Sequence, residues 1–347
     1  MKGDKTLRIW DLETQTPMNT LSGHKGWILC IGWSPLGDKL ASGSMDNEVR
    51  VWSWEGKEEG VLRGHTKWIT SIAWKPLHRE KRGSRLLVSG SKDGTAKVWD
   101  VATGRLCFTL FGHSQAVTCV KWSGKGFLLT SSQDRTINMY TEEEGKLIRT
   151  LKGHSHWVNT LALSSDYLLR TGPFDHTCPS FSSVEVAHKA ALERYNASFP
   201  PNKPEILVSG SDDFTLFLWD FENSKKPLSR LHGHQQLINH VCFSPDSRYF
   251  ATASFDKSIK LWSFDGKFLA TLRGHVASVY QISWSADSRL LVSASKDSTV
   301  KVWDFRTKKL VEDLPGHADE VFAVDWAPDG QTVASGSKDK LLKLWRY

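Results

Sequence analysis

Short apolar stretches alternate with polar residues along most of the chain. In the run from Gly274 to Trp303, three segments show this pattern: Val279–Trp284, Leu290–Ser293 and Thr299–Trp303. Strict alternation predicts strands with one buried face, and the short spacing between segments predicts tight turns. Because the same arrangement recurs along the sequence, we interpret the chain as copies of one structural unit.

Each unit has fixed landmarks. It opens with a Gly-His pair and closes on an aromatic residue that follows an aspartate by six positions. The histidines are His24, His65, His113, His154, His234, His275 and His317. The aromatic residues are Trp52, Trp99, Tyr140, Trp219, Trp262, Trp303 and Trp345. The aspartates are Asp46, Asp93, Asp134, Asp213, Asp256, Asp297 and Asp339. Successive histidines lie 41 to 48 residues apart, except for a gap of 80 after His154.

This spacing resembles that of the WD40 repeat family, which forms β-propellers. The resemblance implies an all-β fold with seven complete repeats and the last two strands of an eighth, in a single domain over residues 1–347. It also implies a network in which the aspartate accepts from the histidine, the histidine reaches a strand serine, and the serine meets the closing tryptophan. A buried carboxylate and imidazole need matched partners, so we expect these residues to be structural and not catalytic. Tyr140 departs from tryptophan.

The two ends of the chain leave the number of blades open. Thr6–Trp10 and Pro17–Leu21 match the third and fourth strands of a repeat whose first two strands are missing. The last repeat stops at Trp345, after its third strand. Either Pro17–Leu21 completes the last blade, which gives seven, or the parent protein has eight blades.

Two segments depart from the regular repeat. The loop Leu77–Arg85 is basic, and we expect an exposed, solvated turn. The repeat that begins at His154 carries an insertion at about 168–204, in which Val186–Tyr195 could form a short helix. A loop of this length is either functional or disordered.

A partner would bind at the loops of a propeller face. Three tryptophans follow a Gly-His histidine by three positions, while a second aromatic position, six further on, is predicted to be buried and is filled by Trp33, Trp74 and Trp122. Exposed indoles among basic residues suit either RNA or an acidic protein surface. The predicted partner-binding residues are Trp27, Trp68, Trp157, Lys25, Lys67, Lys92, Arg135, Lys257, Lys296 and Lys338. The net charge of +7 points weakly to the same partners.

The sequence offers no sign of chemistry. Its five cysteines form no C-x-x-C pair, which argues against a zinc site or a disulfide framework. No signal region, membrane span or catalytic motif is apparent. We therefore expect no enzyme activity, no cofactor, no metal, no small-molecule substrate and no membrane partner.

Five segments go beyond the repeat consensus and together resemble the Notchless family. They are His156–Gly172, which runs into the insertion, Leu207–Phe221, Ser254–Trp262, Arg273–Ser293 and Leu314–Gly330. The resemblance implies a non-catalytic scaffold that docks on pre-60S particles, through ribosomal proteins and rRNA, in the nucleolus and nucleoplasm. The family name also carries a link to Notch signalling.

Members of that family are pulled by the AAA ATPase midasin through an N-terminal ubiquitin-like domain. This chain lacks that domain, which indicates a fragment or a shortened isoform and puts midasin coupling in doubt. Two other interpretations remain. Trp303-Asp304-Phe305-Arg306 matches the W-D-x-R pattern of substrate receptors of cullin–RING ubiquitin ligases, and the fold alone permits a signalling scaffold.

Overall fold

The structure is a computed structural model that describes residues 4–175, 180–200, 202–327 and 330–346. Residues 1–3, 328–329 and 347 of the predicted domain lie outside this description, as do 176–179 and 201 of the predicted insertion. The described chain forms two compact units. The first comprises the described residues of 1–152, 168–173 and 181–203, and the second comprises those of 153–167, 174–180 and 204–347.

The first unit contains one two-stranded and three four-stranded antiparallel sheets. The two-stranded sheet pairs β1 (Leu7–Trp10) with β2 (Pro17–Leu21). The four-stranded sheets are β3–β6 (Ile28–Trp33, Lys39–Ser44, Val49–Ser53, Glu58–Leu62), β7–β10 (Ile69–Trp74, Leu86–Ser91, Ala96–Asp100, Arg105–Leu110) and β11–β14 (Val117–Trp122, Phe127–Ser132, Thr136–Thr141, Leu147–Lys152). The predicted third and fourth strands near the start of the chain are thus confirmed, and they pair with each other.

The second unit contains three four-stranded sheets and one three-stranded sheet, all antiparallel. They are β15–β18 (Val158–Leu163, Leu207–Ser211, Leu216–Trp219, Ser229–Leu231), β19–β22 (Ile238–Phe243, Tyr249–Ser254, Ser258–Ser263, Phe268–Arg273), β23–β26 (Val279–Trp284, Leu290–Ser295, Val300–Asp304, Lys309–Leu314) and β27–β29 (Val321–Trp326, Thr332–Ser337, Leu342–Arg346).

Two α-helices, α1 (Asp166–Thr171) and α2 (Val184–Ser198), lie in the predicted insertion. The all-β propeller fold class predicted from the repeats is confirmed.

Within each unit the cores lie between consecutive sheets. The second strand of a sheet is covered on both faces, as in β24, where all six residues are buried. The innermost strands of neighbouring sheets pack on each other, for example β7 between β3 and β11. One core cluster joins Val51 and Trp99 of two successive sheets. A single sheet therefore exposes apolar surface that only the next sheet in the stack can cover.

Trp33 is an exception, because 43% of it is exposed although its position predicted a buried aromatic. The equivalent Trp74 is 8% exposed, and its indole N–H donates to the carbonyl of Gly32 at 2.9 Å. An aromatic at this position therefore packs on the innermost strand of the preceding sheet. The preceding sheet of Trp33 is β1–β2, which has no innermost strand. The same reason leaves Leu29 and Ile31 exposed.

The basic loop between β7 and β8 is not a simple solvated turn, and that expectation was wrong. It contains a 3-10 helix, Leu77–Arg79, whose Leu77 is buried in a cluster with Ala187 and Ala191 of α2. Tyr195 of α2 stacks on His78, with ring centroids 4.2 Å apart. Polar composition alone suggested exposure, but a helix more than a hundred residues downstream covers this loop.

Helix α2 confirms the predicted Val186–Tyr195 helix and extends it at both ends. It begins after Ser183, whose hydroxyl oxygen accepts from the Val186 amide at 3.3 Å, an N-cap that the sequence Ser-Val-Glu-Val permits. Nearer the start of the insertion, Arg194 donates to the Thr171 hydroxyl and the Gly172 carbonyl, at 2.8 and 2.9 Å. These polar contacts join two parts of the insertion to each other, while the packing of α2 on Leu77 and His78 ties it to the first unit.

Candidate functional site

The repeat that ends at Trp303 shows how each turn is held. Asp297 Oδ2 lies 2.8 Å from His275 Nδ1 and accepts from the Val276 amide at 2.9 Å. Its Oδ1 accepts from the amide and the hydroxyl of Thr299, at 3.1 and 2.7 Å. The carboxylate therefore joins the Gly-His loop to the turn between the second and third strands.

On its other side the imidazole continues the chain of hydrogen bonds. His275 Nε2 lies 2.7 Å from Ser293 Oγ, and the Trp303 indole N–H donates to the same oxygen at 2.8 Å. Because a carboxylate only accepts, Nδ1 carries a proton, and in the neutral tautomer Nε2 accepts the serine hydroxyl. Every polar atom of this buried chain then has a partner.

The same geometry occurs in all seven repeats. The histidine Nδ1 to aspartate Oδ2 distance is 2.7 to 3.0 Å throughout. The histidine side chains are at most 2% exposed and the aspartates at most 9%. Burial raises the pKa of these carboxyls, but hydrogen bonds from histidine and amide groups, joined by a hydroxyl in five of the seven repeats, outweigh it. The pKa of each carboxyl therefore lies below its ordinary value.

The hydroxyl residue in the middle of the network was not assigned from the sequence. It is threonine in two repeats, and the seven residues are Ser42, Ser89, Thr130, Ser209, Thr252, Ser293 and Ser335. Each stands ten positions before the closing aromatic, so the spacing held the signal that could have found it.

Tyr140 closes its repeat differently. Its hydroxyl donates to the carbonyl of Phe111 at 3.1 Å and accepts from the side-chain amide of Asn138 at 3.1 Å. The phenol therefore satisfies its polar atom near the Gly-His loop, although it replaces an indole. His113 still contacts Asp134 and Thr130 in that repeat, at 2.8 and 2.7 Å.

The network has little capacity for chemistry. Each carboxylate is engaged by three or four donors, which leaves at most one acceptor position open on any of them. Across the ranges that the structure describes, no group of three or more histidine, cysteine, aspartate or glutamate side chains is placed to hold a metal ion. We propose that the network is structural, and that any working surface lies at the loops it holds.

The three predicted partner-binding tryptophans are exposed. Trp27 is 46% exposed and Trp68 39% in the first unit, and Trp157 is 42% exposed in the second. Each of these tryptophans lies beside an aspartate turn. Its backbone carbonyl accepts a hydrogen bond from the amide of the residue before the aspartate, at 2.8 to 3.0 Å. The backbone at these three positions is fixed, while the indoles are available to a partner.

The predicted basic residues differ in whether their charged groups already contact another side chain of the protein. Lys25, Lys67, Arg135, Lys257 and Lys296 are exposed. Lys92 extends over the Trp68 ring, with its ammonium 4.1 Å from the ring centroid. Lys338 stands apart, because its ammonium lies 3.4 Å from Asp319 and 3.5 Å from Glu320, so its charge is already paired.

Phe214 is an exposed aromatic that the sequence reasoning missed. It follows the turn aspartate directly, and the residue at this position has a positive φ in every repeat, from 66° at Phe214 to 84° at Gly94. A bulky residue in the left-handed region is unusual, and this ring is 45% exposed. The fixed position after the aspartate could have identified it.

Comparison with known proteins agrees with this geometry. The chain matches the family described as "WD domain, G-beta repeat" over residues 15–53, 56–100, 104–141, 145–178, 184–220, 225–263, 266–304 and 308–346. The chain belongs to the WD40 repeat family. The fourth and fifth of these WD40 matches share the sheet β15–β18, because the insertion separates β15 from β16.

Comparison with three individual relatives shows a more specific similarity than the shared WD40 repeat. The chain is 55% identical to Ribosome assembly protein 4 of Saccharomyces cerevisiae over 77% of its own length and 53% of that protein. It is 57% identical to the Notchless protein homolog of Arabidopsis thaliana, over 75% of this chain and 55% of the relative. Protein Notchless of Drosophila melanogaster is 52% identical over 70% of this chain and 51% of the relative. The resemblance to the Notchless family is confirmed, and the chain spans about half the length of these relatives.

Proposed function

We propose that this chain is a non-catalytic WD40 scaffold that docks on pre-60S particles during assembly of the large ribosomal subunit, in the nucleolus and nucleoplasm. The name of the yeast relative supports the process, since that protein is called a ribosome assembly protein. The observation that carries the docking role is the exposure of Trp27, Trp68 and Trp157 at loops whose backbone is held by the buried network.

Each unit contributes its own docking residues, without the paired Lys338. They are Trp27, Trp68, Lys25, Lys67, Lys92 and Arg135 in the first unit, and Trp157, Lys257 and Lys296 in the second. Large aromatic side chains on a rigid backbone bind with little loss of conformational freedom, which is why they dominate interfaces. Exposed lysines and arginines beside them suit the phosphates of rRNA or the acidic patches of ribosomal proteins. We expect loss of the indoles to weaken docking more than loss of any one charge.

The test is sedimentation of the tagged chain on a density gradient. Replacement of Trp27, Trp68 and Trp157 by alanine is expected to move the chain from pre-60S fractions to the top of the gradient. The control replaces Trp54 and Phe268, which are both 54% exposed but lie outside the Gly-His loops and aspartate turns. Unchanged sedimentation of the triple variant would refute the docking role of these residues.

The ligase interpretation gains no support from the geometry of its motif. Trp303 is 2% exposed and serves the buried network, and Phe305 packs on Tyr249 and Trp284. Asp304 accepts from the Thr307 amide at 2.7 Å. Three residues of the motif thus serve the packing and hydrogen bonding of their own repeat, while Arg306 is exposed. The three relatives named above favour ribosome assembly.

A further inference from the structure

A cavity of about 330 Å³ opens within the first unit. Trp68 does not line it but borders it, because the side chain of the lining residue Lys92 lies over the Trp68 ring. The lining of the cavity comes from the Gly-His loops and aspartate turns of two consecutive repeats. The polar residues that line it are Lys67, Lys92, Asp93, Ser114, Gln115 and Gln133. Because the loop and the turn of each repeat are joined through the buried network, the walls of this cavity are formed in advance.

The charges in the cavity favour an anion. Asp93 is its one lining carboxylate, and it is engaged by His65 Nδ1 at 2.8 Å, the Thr66 amide at 3.1 Å, and the amide and hydroxyl of Thr95. Within the ranges that the structure describes, neither Lys67 nor Lys92 has a carboxylate within ion-pair distance. Two ammonium groups therefore outweigh one carboxylate whose oxygens are already engaged by hydrogen bonds within the protein.

The size and the other polar groups of the cavity suit more than a single carboxylate. A water molecule occupies about 30 Å³ in the liquid, so the cavity has room for roughly eleven waters, far more than one acidic side chain displaces. The side-chain amides of Gln115 and Gln133 each offer both donors and an acceptor. Trp68 carries Lys92 over its ring and is still 39% exposed, so part of the indole is free to stack.

We propose that this cavity binds one unpaired nucleotide of single-stranded RNA. The phosphate lies at Lys67 and Lys92, the base stacks on Trp68, and Gln115 and Gln133 meet the polar edge of the base. The proposal deepens the proposed function and rests on it, since it names the chemical class of partner at part of the docking surface. An acidic protein segment would use the two lysines but would leave the amides and most of the volume unused.

The test measures binding of a fluorescein-labelled ten-nucleotide oligouridylate by anisotropy over a range of salt concentrations. Replacing Lys67 and Lys92 together by glutamine should lower the slope of log K against log salt by about 0.7, the contribution of the one phosphate that both lysines contact in a single strand. Trp68→Ala should weaken binding roughly 5- to 150-fold through lost stacking. The matched control replaces Lys57 and Lys146, two exposed lysines of the same unit outside the cavity, and should keep the wild-type slope.

The arginine pair K67R and K92R should retain binding, which separates loss of charge from loss of folding. The proposal is overturned if wild-type protein fails to bind the oligonucleotide at low salt, or if both glutamine pairs lower the slope equally. It is also overturned if labelled deca-glutamate binds more tightly than the RNA and depends on the same lysines. In any of these cases, gradient sedimentation can still show tryptophan-dependent docking, so failure of this inference is distinguishable from failure of the proposed function.

Discussion

Gly124→Ala should detach helix α2 from the sheet that carries β11 and β12. A methyl group at Gly124 would lie 2.5 Å from Tyr195 Cζ and 2.6 Å from its hydroxyl oxygen, distances that no side chain tolerates. The ring has little room to move, because it is 7% exposed, stacks on His78 and lies 5.6 Å from the Phe199 ring. Since Gly124 has no positive φ, alanine should fit its backbone, and the clash with Tyr195 is the main effect.

The magnitude follows from what Tyr195 loses when it is expelled. Re-exposing a large buried side chain costs about 1.5–3 kcal/mol, and the aromatic stack adds about 0.5–1.5 kcal/mol. We expect the free energy of local opening of α2 to fall by about 2–4 kcal/mol. Hydrogen exchange of the α2 amides should then accelerate roughly 30- to 1000-fold, while the amides of β12 keep their protection.

Two controls sharpen this test. Gly60→Ala introduces the same methyl group where no heavy atom lies within 4 Å, so exchange in α2 should not change. In a Tyr195→Ala background the clash is absent, so adding Gly124→Ala should have little further effect, a coupling that a double-mutant cycle detects. Exchange of the α2 amides within threefold of wild type in Gly124→Ala would refute the packing argument.

Three further predictions concern stability, measured as the free energy of unfolding in urea. Burial lowers the pKa of His78 to about 4, below the 6.5 of an exposed histidine. The unfolded chain therefore binds the extra proton first, and this group should lower stability by up to about 3 kcal/mol as pH drops from 6.5 to 4. His78→Gln should reduce the pH dependence by that amount and leave the part that comes from His234 and the turn aspartates, whose pKa values are also lowered. Asp297→Ala should cost about 3–5 kcal/mol because it leaves the His275 Nδ1 proton and two amides without an acceptor. Asp287→Ala should cost only about 1 kcal/mol, because that side chain is 53% exposed, accepts from the Ser285 hydroxyl and the Arg289 amide, and forms a solvent-exposed ion pair with Arg289. Trp74→Ala should cost about 3–5 kcal/mol as a buried aromatic and Trp33→Ala under about 1 kcal/mol; equal losses would contradict the account of Trp33.

The repeat architecture was predictable because its signals lie within short stretches of sequence. Alternating strands, the Gly-His pair and the aspartate six positions before each aromatic all recur at short range, so each repeat supports the interpretation of the others. The exposure of Trp27, Trp68 and Trp157 also followed, because their fixed offset from the histidine places them at the edge of the innermost strand. Structural features that depend only on a short, repeated pattern can therefore be predicted from the sequence alone.

Contacts between distant segments were not predictable in this way. Nothing near Leu77 indicates that Ala187 and Ala191 cover it. Likewise, nothing near Trp33 shows that an aromatic at its position is buried only when the preceding sheet supplies an innermost strand, as it does for Trp74. The cavity beside Trp68 was missed for the same reason, since Gln115 and Gln133 belong to the repeat after that of Lys67 and Lys92. The environment of such residues depends on how the sheet of one repeat packs on the sheet of the next repeat.

The contrast between closing and rim tryptophans gives the protein a natural optical readout. The closing indoles of Trp52, Trp99, Trp219, Trp262 and Trp303 are at most 2% exposed, while those at the rim are 39 to 46% exposed. Iodide in solution should quench the second set, together with Trp33 and Trp54 at 43% and 54% exposed, and leave the first largely untouched. In a chain with Trp33 and Trp54 replaced by phenylalanine, the quenchable emission, at the longer wavelengths typical of hydrated indole, would monitor the rim without a label. Loss of iodide quenching at the rim when a particle is added would report docking. Quenching of the short-wavelength emission of the closing indoles would report unfolding.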